Sequence, residues 1–151
     1  MTWLYLIAAL VSLPCLILAT LFSLWAAGRA LPEGDRAGLA REIGRTEATA
    51  AAHKPGQRAA PTPTMLWSLS TILAVAAVLP WGLVAPPAIG RWDFVFPAFG
   101  TAFAIVFFTH GAGAWGVEIP NAYHVNDRRW FAPLALALAA GYAVLVVAWF
   151  L

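Results

Sequence analysis

Charged side chains are absent from four long runs of this chain, Met1 to Gly28, Ala59 to Gly90, Phe94 to Val117 and Trp130 to Leu151. A helix rising about 1.5 Å per residue needs about 20 apolar residues to cross a hydrocarbon core of about 30 Å thick. Each run meets that length. The pattern predicts an all-α integral membrane protein with four transmembrane helices, over about 2–27, 65–87, 94–117 and 130–151. These spans consume most of residues 1–151, which therefore read as a single four-helix membrane domain with polar loops at 28–64 and 118–129. Pro14, Pro80 and Pro97 fall within or near the spans and are expected to kink or shorten them.

Composition agrees with this pattern. The chain is 62% apolar and 11% charged, whereas an average soluble domain has about a quarter charged residues. A removable signal peptide is the competing reading of the first run, but no Lys or Arg precedes it and it exceeds a typical signal core. A retained first helix is expected. The single cysteine, Cys15, allows no internal disulfide and reads as a small buried apolar group.

The net charge of +2 matters less than where the nine basic residues lie. Arg29, Arg36, Arg41, Arg45, Lys54 and Arg58 separate the first two runs, Arg128 and Arg129 separate the last two, and Arg91 alone lies between the middle pair. By the positive-inside rule the 28–64 and 118–129 loops are cytoplasmic and both termini face out, as in a bacterial inner membrane. The eight tryptophans mark the same boundaries, since indoles favour the headgroup level: Trp3 and Trp25, Trp67 and Trp81, Trp92 and Trp115, Trp130 and Trp149. The long first loop can hold a thinly amphipathic helix from about Asp35 to Ala52, followed by the linker "KPGQRAAPTPT". The short "APPAIGRWD" makes the second and third spans an antiparallel hairpin.

Candidate chemistry centres on "HGAGAWGVEIPNAYHVNDRRW". His110 reads as the one ionisable side chain within a span, about 10 Å of helix from its inner end. Ionisable groups at such depth usually face a bundle interior or cavity and mark function. Gly111, Ala112, Gly113, Ala114 and Gly116 then allow close approach by another backbone or by a flat ring. The first alternative is helix packing around a hydrogen-bonded histidine. The second is a b-type haem, with the imidazole as axial ligand. His124 lies about 21 Å further along an unbroken helix, and Pro120 interrupts it, so a second ligand would come from another chain.

The segment "HGAGAWGVEIPNAYHV" resembles the part of small succinate dehydrogenase membrane-anchor subunits where a haem-ligating histidine precedes an Asp-Tyr pair at the quinone site. The resemblance covers about a tenth of the chain and implies His110 as haem ligand and Tyr123 as quinone contact, with His124 a further candidate donor at a quinone or lipid headgroup. Asn121 and Ala122 stand before Tyr123 where that family has aspartate, and those anchors usually have three spans. Arg128 and Arg129 suit anionic lipids at the cytoplasmic face or a docked subunit.

Other classes find little support. There is no phosphate loop, CxxC pair or HExxH set, and nothing suggests nucleic acid. The outline is similar to small membrane glutathione and eicosanoid enzymes, without their charged signatures in the first loop. Ser12, Thr20, Ser23, Ser68, Ser70, Thr71, Thr101 and Thr109 are too few for an ion path unless several copies share one. The leading expectation is a small accessory or anchor subunit, in contact with lipid and other membrane subunits or copies of itself, without catalytic activity of its own. Respiratory or photosynthetic electron transfer is a plausible setting. A haem b or quinone anchor using His110 is the alternative, and a four-helix enzyme or oligomeric transporter is the further one.

Overall fold

A computed structural model describes residues 2–29, 63–85, 93–114 and 127–151, without the side chains of 127 and 128. Four helices account for nearly all of them: α1 Thr2–Ala26, α2 Pro63–Val84, α3 Val95–Gly113 and α4 Ala132–Phe150. All four are long and apolar enough to cross a membrane, the last counted from Arg129. The protein is all-α and multi-pass. The Asp35–Ala52 helix, the linker after it and most of the 85–93 connector lie outside the described residues.

Helix ends follow local chemistry. α1 stops where Gly28 takes φ +82°, while the Gly28 N–H bonds to the Trp25 carbonyl at 3.0 Å and the Arg29 N–H to that of Leu24 at 2.8 Å. This Schellman arrangement satisfies carbonyls that the helix end leaves open, and it needs a left-handed residue that glycine supplies without strain. Helices α1 and α2 continue through Pro14 and Pro80, so neither ends early. Pro97 falls in the first turn of α3, where an N–H has no intrahelical acceptor anyway. The chain enters α4 through a π-helical turn, Asp127–Phe131. Pro133 follows after Ala132, and its ring would crowd the Arg129 carbonyl four residues earlier, which the wider turn relieves.

Side-chain contacts give the arrangement. Gly111 meets Leu136, Gly100 meets Val146 and Phe96 stacks on Trp149, so α3 and α4 are antiparallel along their length. Ser70 binds Ser23 and the Ala19 carbonyl, while Val11 lies on Gly141 beside Tyr142, whose hydroxyl reaches Ala76. Moving down α1 therefore moves up α2, and these two also form an antiparallel pair. Gly82 and Leu83 meet Phe96 and Gly100, which joins the two pairs.

The packing follows the logic of lipid as solvent. Small residues line the interior, among them Ala8, Cys15, Ala19, Ala76, Ala77, Ala132, Ala135 and Ala139, while Leu6, Leu10, Leu13, Ile17, Phe99, Ile105 and Phe108 point outward. Lipid tails are as apolar as leucine, so burial of bulk gains little and close backbone approach decides the interface. α3 is the least enclosed helix, with 17% of its central apolar stretch buried against 39% for α2.

Candidate functional site

Among the described residues three buried side chains carry a hydroxyl, Ser12, Ser70 and Tyr142, each on a different helix. Ser70 donates to the Ala19 carbonyl at 2.8 Å, which leaves its oxygen to accept from Ser23 at 2.6 Å. The pair ties α2 to α1 near the end that leads into the long polar loop. Ser12, on the buried face of α1 with Ala8, Val11 and Cys15, is 3% exposed and its hydroxyl has no hydrogen-bond partner.

Tyr142 is the third and largest, fully buried at the middle of α4. Its ring stacks against Phe103 at 5.7 Å and Phe107 at 6.0 Å, both from α3, and its hydroxyl donates to the Ala76 carbonyl of α2. Cys15 of α1 belongs to the same buried cluster. One side chain thus joins all four helices. It carries no charge, and a search for charge-bearing groups within the spans does not reach it. A tyrosine at mid-span, away from the interfacial belts and flanked by Gly141 and Ala143, was the available signal.

His110 lies elsewhere. It sits in the last turn of α3, and its side is exposed rather than turned into the bundle, so the expected interior placement does not hold. The neighbouring glycines explain why. A Cβ on Gly111 would stand 2.7 Å from Leu136 Cγ and 3.0 Å from the Ala132 carbonyl oxygen, so this glycine faces inward and seats α4. His110, one residue earlier and about 100° around the helix, cannot share that face. Gly113 has nothing within 4 Å of an added Cβ. Of the described small residues after His110, Gly111 therefore serves helix packing against α4, while Gly113 faces open space.

Among the other expected site residues, Tyr123 and His124 lie outside the described residues, as does the side chain of Arg128. Arg129 is exposed and its guanidinium stands 5.3 Å from the centre of the Trp130 ring, itself 64% exposed. A cation on an indole at the start of α4 suits the headgroup layer, where one part of each side chain is wet. Among the described residues no group of three or more His, Cys, Asp and Glu gathers as a metal site. An open groove between the start of α1 and the end of α4, lined by Trp3, Leu4, Ala143, Val144, Val147, Ala148 and Leu151, is mostly apolar.

Five further hydroxyls are satisfied within their own helices. Thr20, Ser68, Thr71, Thr101 and Thr109 donate to carbonyls one turn back in their own helices, at 2.8 to 3.0 Å. Such groups can face hydrocarbon without leaving a donor open. The described residues are rich in interhelical fastening, and no acid, base and nucleophile are assembled among them. No protein-family model matches the chain, and neither a curated protein nor a solved structure matches it.

Proposed function

We propose that this chain is a small accessory or anchor subunit of a larger membrane complex, with α3 as the helix that meets its partner. The observation that carries this is the outer face of α3. It presents Phe99, Ile105, Val106 and Phe108 together with His110, while only one stripe of the helix packs on the rest of the bundle. Of the interior polar groups, Ser70 and Tyr142 meanwhile bond across helices and hold them together. Such a molecule contributes shape and attachment.

Orientation belongs to the same proposal. The basic residues of the 28–64 and 118–129 loops place those loops on the cytoplasmic side, with both termini outside, in a bacterial plasma membrane. Arg129 and Trp130 then lie at the inner surface, where anionic lipid or a docked subunit supplies counter-charge.

Photo-crosslinking in native membranes tests the role. A crosslinker at Ile105 or Phe108 is expected to form a polypeptide adduct, and one at Leu10 or Leu13 of α1 only lipid adducts. His110→Ala should weaken co-purification of that adduct's partner. A protein that migrates alone on a native gel, with no polypeptide adduct from α3, would end this reading. The exposed placement of His110 also favours one second reading, a haem held between this chain and another, for which a reduced-minus-oxidised b-type spectrum lost in His110→Ala is the signature.

A further inference from the structure

An α-helix closes each carbonyl with the N–H four residues ahead, and proline has no N–H to give. Pro80 lies inside α2, so the carbonyl it leaves without its helical donor is that of Ala76. Within hydrocarbon bulk water is not at hand to replace the missing bond, and a side chain of a neighbouring helix is one source of a new donor. The donor present is Tyr142, whose hydroxyl bonds to the oxygen of Ala76. Of all the carbonyls along α2, the phenol of α4 reaches the one that the proline releases. Two residues distant in sequence are complementary in chemistry.

The surroundings hold both members in place. Pro80 and Tyr142 are each among the largest fully buried side chains, and Phe103 and Phe107 of α3 stack on the phenol ring at 5.7 and 6.0 Å, fixing its aim. Beyond Pro80, α2 retains one more turn, Trp81 to Val84, in which Gly82 receives the Phe96 ring and Leu83 lies on Gly100. That turn is joined to the body of α2 by one hydrogen bond fewer than a regular helix has. It is also the part of α2 that touches the beginning of α3.

We propose that Pro80 is a hinge in α2 and that Tyr142 is its latch. With the phenol on the Ala76 carbonyl the last turn of α2 is held in line with the body, and the start of α3 is held with it. With the bond broken, the 81–84 turn and its contacts to Phe96 and Gly100 loosen while the Ser23–Ser70 end of the bundle stays closed. This device is independent of what partner α3 meets.

A double-mutant cycle in nanodiscs, read by thermal unfolding and by hydrogen exchange, tests it. Tyr142→Phe is expected to lower Tm by roughly 3 °C or more and to speed exchange of the amides of 81–85, leaving those near Ser23 and Ser70 unchanged. Pro80→Ala returns an N–H to the Ala76 carbonyl, so in that background Tyr142→Phe should lose most of its effect on both readouts. If Tyr142→Phe alone does not fold, adding Pro80→Ala should rescue it. Additive effects, faster exchange spread evenly over the four helices, or absence of rescue would each overturn the proposal, as would a Pro80→Ala chain that fails to fold.

Discussion

A methyl group added at Gly111 meets a wall, and one added two residues later at Gly113 meets open space. The first would press on Leu136 Cγ at 2.7 Å and on a backbone oxygen at 3.0 Å. Backbone cannot yield cheaply, and overpacking of this kind costs about 1–3 kcal/mol, against about 1 kcal/mol gained by replacing glycine with alanine in a helix. Gly111→Ala should therefore destabilise the fold or at best leave it level, while Gly113→Ala should be neutral or slightly stabilising. Denaturation of the two variants in the same detergent checks this. Equal behaviour would mean that α3 is rotated from the placement described, and His110 with it.

At the scale of elements, α3 shows what the sequence discloses and what it hides. Its apolar run is plain, and the 94–117 expectation contains the observed Val95–Gly113 helix. The inward face is not plain, because a helix that is apolar all round carries no amphipathic signal. Depth alone suggested that His110 turns inward, yet the inward marks are the residues with least side chain, Gly100 and Gly111, together with the half-buried rings of Phe103 and Phe107. Tyr142 was hidden for a related reason, since its partner is a backbone carbonyl and only the proline four residues beyond Ala76 hints at it. The face of α3 can be tested residue by residue. Phe103→Ala and Phe107→Ala should each cost on the order of 2 kcal/mol, below the roughly 3–5 kcal/mol of a fully buried ring because both are half-buried. Phe99→Ala and Phe108→Ala, on the exposed side, should leave stability nearly unchanged. A reversed order in thermal unfolding would exchange the inner and outer faces.

For the whole molecule, the antiparallel pairing and the charge pattern constrain each other. Because α1 runs against α2 and α3 against α4, Arg29, Pro63, Ala114 and Asp127 collect at one end of the bundle, and every basic residue except Arg91 lies from Arg29 to Arg58 or at Arg128 and Arg129, in or beside the segments that join them. Lys and Arg are thus concentrated at one end, and the proposed orientation, with that end on the cytoplasmic side, follows from their count near the span ends. The first loop contributes Arg29, Arg36, Arg41, Arg45, Lys54 and Arg58, and the second only Arg128 and Arg129. Orientation should follow the richer loop. A reporter active only outside the cytoplasm should work when fused after Leu151 and fail within 30–62, and replacing Arg128 and Arg129 by alanine should leave both results unchanged. Neutralising the basic residues of the first loop should instead give mixed or inverted insertion, read as activity of the 30–62 fusion. If the Arg128 and Arg129 substitutions alone invert the protein, orientation is set by the hairpin of α3 and α4, and α3 would then dock with its His110 end toward the opposite leaflet.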